Sequence, residues 1–130
     1  MDRDEAEHRA ALSLLHEARV DEALALFEGI AAREPVSRRT VRAMFEVARI
    51  HRTRGERDLA LAGFRRIVDE HPADGQASRS LRILVGELRG IEGDDAALEL
   101  LRALDTAHHA TDLGDDVLTY EAEILRAHGQ

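Results

Sequence analysis

The sequence predicts an all-α fold, an α–α superhelix of about seven helices within a single domain, residues 1–130. Three observations lead to this prediction. Segments of the chain repeat at an interval of 37 residues, apolar residues within each segment have helical spacing, and the sequence lacks alternating runs of β-branched residues. With 130 residues, of which 44% are hydrophobic, the chain is long enough to bury a core.

The repeat is clearest in the stretch DEALALFEGIAAREP at residues 21–35, which returns as DLALAGFRRIVDEHP at residues 58–72. A weaker third copy, GDDAALELLRAL, follows after the same displacement of 37 residues. Matching places in the three copies hold Ala23, Ala60 and Ala97; Phe27, Phe64 and Leu101; Ile30, Ile67 and Leu104. Pro35 and Pro72 close the first two copies, whereas His109 stands at that place in the third. Repetition of one helical unit is typical of a solenoid.

Each unit is predicted to be a helix–turn–helix hairpin, at about residues 4–37, 41–74 and 78–110. In the second unit, the apolar stripe of the leading helix follows the spacing i, i+3, i+4, i+7 with Met44, Val47, Ala48 and His51. The trailing helix repeats this spacing with Ala60, Phe64, Ile67 and Val68. Gly55 suits the turn between these helices, and Gly90 and Gly93 suit the corresponding turn of the third unit.

A seventh helix is predicted at about residues 115–127, as the cap that closes the open end of the array. Asp115 and Asp116 fall in its first turn, where the helix dipole favours carboxylates. Its apolar stripe comprises Val117, Leu118, Ile124 and Leu125. Three hairpins and a cap account for the seven helices, and three units are about the minimum for a stable array.

With these residues in place, the chain resembles the tetratricopeptide repeat family, whose trailing helix carries an Ala, Phe, Pro set. That set is matched in the first two units by Ala23, Phe27 and Pro35, and by Ala60, Phe64 and Pro72. The resemblance covers roughly residues 4–109, with a period of 37 residues where the family's usual period is about 34. It implies stacked hairpins whose leading helices line a concave groove, and a protein segment as the ligand of that groove.

The sequence carries no pattern typical of an enzyme, and we predict no catalytic activity, no metal site and no cofactor. It contains no cysteine, which excludes disulfides, Cys-ligated zinc and thiol catalysis. It also lacks a phosphate-binding glycine loop and the His-Glu-x-x-His zinc motif. His108 and His109 are adjacent, and neighbouring side chains on a helix diverge by about 100°, so they form a poor chelate.

Charge and hydropathy indicate a cytoplasmic protein. The formal net charge is −8, and no stretch approaches the roughly 18 to 20 apolar residues of a membrane span. The N-terminal MDRDEAEHRAALSLL lacks the apolar centre of a signal peptide. A chain whose leader had been removed would look the same and would be periplasmic. All 18 basic residues are arginine, which the composition bias of a bacterial genome of high GC content explains.

The leading helix of the second unit carries the clearest functional signal. Residues 36–54 contain six arginines and a single acid, Glu46, within an acidic chain. On the face opposite the packing stripe, the leading helices place the predicted groove residues Leu12, Leu15, Arg42, Phe45, Arg49, Arg52, Arg79, Arg82 and Arg89. Among them, Phe45 is expected to be an exposed aromatic anchor. Because arginine forks match carboxylates, we predict that the partner is an acidic peptide, or a helix with acidic and apolar positions.

The sequence also leaves alternatives open. The arginines could form a solvated face paired with the chain's own acids. Leu12 and Leu15 on an uncovered first helix could mediate a homodimer, in a self-assembling structural solenoid. Nucleic-acid binding is a third alternative, against which the overall acidity and the lack of interleaved aromatic residues argue. The pattern favours a protein-binding adaptor or scaffold, and it does not identify the partner.

Overall fold

The computed structural model describes residues 3–108 and 112–129. This part of the chain forms seven α-helices and contains no β-strand. The helices are α1 (Arg3–His16), α2 (Val20–Ala31), α3 (Arg38–Thr53), α4 (Arg57–Glu70), α5 (Gly75–Ile91), α6 (Asp94–His108) and α7 (Asp112–Ala127). The predicted all-α fold is therefore confirmed.

From α2 onward, the helix starts follow the 37-residue interval that the sequence shows. The leading helices α3 and α5 begin at Arg38 and Gly75, and α7 begins one further interval on, at Asp112. The trailing helices α2, α4 and α6 begin at Val20, Arg57 and Asp94, again at that interval. The seventh helix thus begins three residues earlier than the predicted start at residue 115, at the place where a fourth leading helix would begin.

Local hydrogen bonds explain several of these boundaries. Ser37 caps α3, because its hydroxyl accepts from the backbone N–H of Thr40 while the Thr40 hydroxyl accepts from the Ser37 N–H at 2.7 Å. Asp74 caps α5 by accepting from the Gln76 N–H at 2.9 Å. Gly55 and Gly93 have φ of 77° and 94°, the left-handed conformation that suits the turn after a helix. Gly90 was expected in such a turn, but it lies inside α5.

The chain divides into two compact units, which are distinct from the three predicted repeats. The first unit is Met1–Ile67, the second unit is Val68–Gln130, and α4 contributes residues to both. In the first unit, α1, α2 and α3 share a core whose buried members are Ala11, Ala23, Phe27, Ile30, Ala43 and Ile50. The middle of α4 packs against α3 through an edge-to-face contact between Phe45 and Phe64, whose ring centroids are 5.5 Å apart.

The packed face of α3 differs from the predicted one. Ala48 is buried as expected, but Met44, Val47 and His51 are only partly buried. Phe45, which was expected to be exposed, is 1% exposed. The expectation was wrong because α3 contacts α2 and also α4, so it buries a broader surface than one stripe provides.

In the second unit, α5, α6 and α7 bury leucine, valine and isoleucine side chains, among them Leu81, Leu101, Leu104, Leu113, Val117 and Ile124. The predicted stripe of α7 is partly wrong, because Leu118 is 51% exposed. Asp94 at the start of α6 joins the three helices. It accepts hydrogen bonds from Nε of Arg89 at 2.7 Å and from Nε2 of His128, which follows α7, at 2.6 Å.

Candidate functional site

The first unit contains a pocket of about 370 Å³ between the end of α1, the start of α2 and the second half of α3. This volume lies in the range of cavities that hold a ligand or an inserted side chain. The lining combines apolar side chains with polar and charged ones: Leu12, Leu15, His16, Val20, Glu46, Arg49, Ile50, Thr53 and Arg54.

The helices α1 and α3 run in the same direction along this site. Near their starts, Nη2 of Arg39 lies 3.6 Å from Oε2 of Glu5. Further along, His8 of α1 lies within reach of the charges of Arg42 and Glu46 of α3. Beyond this point, the second halves of both helices line the pocket. Within the first unit, the leading helices of the first two predicted hairpins therefore share one lined surface.

Apolar side chains form the floor of the pocket. Leu12, Leu15 and Val20 are partly buried and pack against the core cluster that contains Phe27 and Ile50. Ile50 is 5% exposed and also reaches the pocket. Because this floor rests on close-packed interior residues, the core determines its shape.

Glu46 and Arg49 form the charged wall of the pocket. Glu46 is buried, with only 7% of its surface exposed, and Nη1 of Arg49 donates to its two carboxylate oxygens at 3.3 and 3.5 Å. The side chain of Arg49 is 53% exposed, and its guanidinium carbon lies 6.0 Å from the centroid of the Phe45 ring. Arg49 thus combines an ion pair with a cation–π contact at the mouth of the pocket.

Arg54 and Thr53 close the rim where α3 ends. Nη2 of Arg54 donates to Oδ1 of Asp21, which joins the end of α3 to the first turn of α2 and raises the pKa of Arg54. The hydroxyl of Thr53 donates to the carbonyl oxygen of Arg49 at 3.0 Å, and Thr53 itself is exposed. This rim offers an exposed position at which the pocket can be filled by substitution.

His8 lies one turn before Leu12 on α1, and its ring makes an edge-to-face contact with Phe27 at a centroid distance of 5.3 Å. Burial lowers the pKa of His8, the nearby charge of Arg42 lowers it further, and Glu46 acts in the opposite direction. The ring is therefore neutral at pH 7. Within the described residues its buried Nε2 atom has no hydrogen-bond partner.

Of the groove residues predicted in the first unit, the structure brings Leu12, Leu15 and Arg49 together in the pocket. Phe45 is not an exposed anchor; its ring is buried behind Arg49 and against α4. Arg42 and Arg52 are exposed on α3 but do not line the pocket.

The predicted groove residues of the second unit lie on α5. Arg79 is exposed and donates to the Gln76 side chain at 3.2 Å. Arg82 is exposed, and its charge acts on Tyr120 of α7, where burial raises the pKa of the phenol. Arg89 is bonded to Asp94, so its guanidinium already has a carboxylate partner.

Acidic side chains of the same chain form ion pairs with some arginines of the arginine-rich stretch, residues 36–54. Arg39 lies near Glu5, Arg49 is paired with Glu46, and Arg54 with Asp21. In the part of the chain that the structure describes, Arg42 forms neither a hydrogen bond nor an ion pair. The predicted alternative of a self-paired face thus applies to some of these arginines, while Arg42 and the half-exposed Arg49 can meet other carboxylates.

Glu46 is among the pocket residues that the sequence prediction missed. It was noted only as the single acid among six arginines in residues 36–54. Two signals could have identified it. A single acid among the arginines of one helix indicates that its charge is used locally, and Arg49 follows at i+3, the spacing at which two side chains pair on one helix face.

No group of three metal-binding side chains occurs among residues 3–108 and 112–129, and His109 of the predicted histidine pair lies outside them. No helix in the same ranges is long and apolar enough to span a membrane. Comparison with protein-family models and with curated proteins gives no match for this chain. The resemblance to the tetratricopeptide repeat family accordingly remains a prediction from the residue pattern.

Proposed function

We propose that this chain is a non-enzymatic protein-interaction module of the tetratricopeptide repeat type, an adaptor that binds a peptide segment in the pocket of its first unit. The observation that carries the proposal is the pocket itself. It lies where α1 and α3, the leading helices of two consecutive predicted hairpins, run side by side, and it has an apolar floor with charged groups at its wall and rim. This combination suits an amphipathic segment that inserts one apolar side chain.

The apolar anchor would contact Leu12, Leu15 and Ile50, which supply the buried surface. The guanidinium groups of Arg49, at the mouth of the pocket, and of Arg42, outside it, are exposed and suit carboxylates of the partner, because arginine presents paired donors that match a carboxylate. We assign acid recognition to these two arginines. Arg89 of the second unit, also predicted for this role, is bonded to Asp94 and its side chain is 35% exposed, whereas the side chain of Arg49 is 53% exposed.

This assignment favours a protein partner over nucleic acid. A phosphate-binding face requires several uncompensated cations, whereas Arg39 and Arg54 have acidic partners within the first unit. The proposal involves no cofactor and no metal, and it places the module in the cytoplasm, as the sequence predicts.

Selection of short random peptides displayed on phage tests the proposal. Thr53→Trp places a bulky ring at an exposed position of the pocket, so we expect it to abolish the enrichment of peptides that wild type selects. Thr106→Trp is the matched control, because Thr106 is exposed on α6 and its hydroxyl also bonds the carbonyl four residues earlier. Circular dichroism verifies that both variants are folded.

Failure of wild type to enrich any peptide, or equal enrichment by Thr53→Trp, contradicts the proposed function. Binding of random DNA that survives physiological salt would instead support the nucleic-acid alternative.

A further inference from the structure

We propose that the pocket selects a partner segment in which a lysine or arginine lies within four residues of the apolar anchor, and that the carboxylate of Glu46 accepts its hydrogen bonds. The inference deepens the proposed function and rests on it. It specifies where the partner carries its charges. A basic residue enters the pocket with the anchor, and acidic residues remain outside the pocket, where they meet Arg42 and Arg49.

The state of the Glu46 carboxylate is the first reason. The residue is more than nine-tenths buried and lines the pocket. Among the described residues, only Arg49 donates to it, at 3.3 and 3.5 Å, the long end of the hydrogen-bond range. A carboxylate has about four acceptor sites, so Glu46 retains acceptor capacity. A buried charge that is only weakly bonded favours a ligand that brings a donor.

The charges around the pocket are the second reason. Arg49 lies over the Phe45 ring with half of its side chain in solvent, and Arg54 is bonded to Asp21. Arg49 is paired with Glu46 and Arg54 with Asp21, so each of these two arginines has an acidic partner. The imidazole of His8, whose pKa is lowered, is neutral at pH 7 and adds no positive charge.

A partner carboxylate at the same depth would face Glu46 across the pocket and be repelled. The acids that suit Arg42 and Arg49 must therefore stand outside the pocket, on the exposed face of α3. Since side chains three and four residues apart share one helix face, a helical partner with an apolar residue and a basic residue at that spacing fits the wall and the floor together.

The test compares the peptides that wild type, Glu46→Gln and Glu28→Gln enrich from the same phage library. Glu46→Gln keeps the size of the side chain and removes its charge. Glu28→Gln is the matched control, because Glu28 is exposed on α2 and lies outside the pocket lining. We expect wild type and Glu28→Gln to enrich peptides with a lysine or arginine within four residues of an apolar anchor, and Glu46→Gln to enrich the anchor without the basic residue.

Fluorescence anisotropy then measures one enriched peptide and its sibling with the basic residue changed to glutamine. Loss of a charge-assisted bond should weaken binding to wild type by about tenfold and should change binding to Glu46→Gln by less than about twofold. Equal losses on the two proteins overturn the inference.

The remaining outcomes separate the inference from the proposed function. If wild type enriches peptides that lack a basic residue and that Thr53→Trp does not bind, the inference is overturned and the proposed function stands. Enrichment that is insensitive to Thr53→Trp overturns both. Self-association in light scattering that Thr53→Trp abolishes identifies a second copy of the chain as the occupant, and this result also overturns the inference.

Discussion

Replacing Gly63 by alanine should destabilise the first unit, although alanine is the better helix former. Gly63 lies in α4, and a Cβ atom at this position would lie 3.0 Å from the Cβ atom of Ala48 in α3. Carbon atoms in favourable contact are about 3.5 to 4.0 Å apart. Both methyl groups are fixed to helix backbones, so relief requires the two helices to separate, next to the edge-to-face contact of Phe45 and Phe64.

Two opposing free energies set the magnitude. Helix propensity favours alanine over glycine by about 1 kcal/mol in a helix interior, whereas overpacking a well-packed contact costs about 1 to 3 kcal/mol. The expected net effect of Gly63→Ala is a loss of about 1 kcal/mol in the free energy of unfolding. For a chain of this size, that loss lowers Tm by roughly 3 to 5 °C.

Gly86→Ala is the matched control, because Gly86 lies inside α5 and a Cβ atom there meets nothing within 4 Å. This variant should gain up to about 1 kcal/mol. Thermal and urea unfolding followed by circular dichroism compare the two variants with wild type. If Gly63→Ala melts as high as Gly86→Ala, the close approach of α3 and α4 is refuted.

Three further predictions concern packing and ionisation. Ala60 is 2% exposed, so Ala60→Leu should overpack α4 and cost about 1 to 3 kcal/mol in urea unfolding, and an unchanged midpoint would contradict the assigned register. Because the pKa of His8 in the folded chain is lowered from 6.5, unfolded chains bind more protons, so the free energy of unfolding should decrease as pH falls below about 6.5, by at most about 1.4 kcal/mol per pH unit. His8→Leu should flatten that slope, and an equal slope in both proteins would refute the burial of the ring. Hydrogen bonds from Arg89 and His128 lower the pKa of Asp94 from 3.8, so Asp94→Asn should reduce Tm at pH 7, and the difference from wild type should shrink as pH falls below about 3.8; a difference independent of pH would contradict this ion pair.

Much of the fold could be predicted because the repeat determines where helices start. The interval of 37 residues, read from Ala23, Phe27 and their later counterparts, reappears in the starts of the helices. Turn residues were predictable where conformation restricts the residue type, as at Gly55 with its positive φ. Gly90 shows the limit of this reasoning, because a glycine can also stand inside a helix when no side chain is needed there.

The candidate site was less predictable, because spacing along one helix does not reveal how many neighbours that helix has. Val41, Phe45 and Ala48 also follow helical spacing, and all three are buried, since α3 packs on two sides. A stripe chosen from apolar spacing alone could not decide between these two sets. The role of Glu46 depends on the pocket formed with α1, which is a contact between residues distant in the sequence.

Leu12, Leu15 and Arg49, which line the pocket, were among the predicted groove residues because the groove face was defined relative to the repeat. Their proximity depends on the parallel course of α1 and α3. The charge of the site was not predictable, because it depends on which acids lie within reach of each arginine, such as Asp21 beside Arg54.

The most direct test of the central claim is methyl NMR of the full chain titrated with a peptide enriched by wild type. If the partner segment binds in the pocket of the first unit, the largest shift changes should occur at the methyl groups of Leu12, Leu15, Val20 and Ile50. The exposed methyl groups of Leu59 on α4 and Leu118 on α7 should remain unchanged. Shift changes confined to Leu59, Leu118 or other sites outside the pocket would contradict the proposed function.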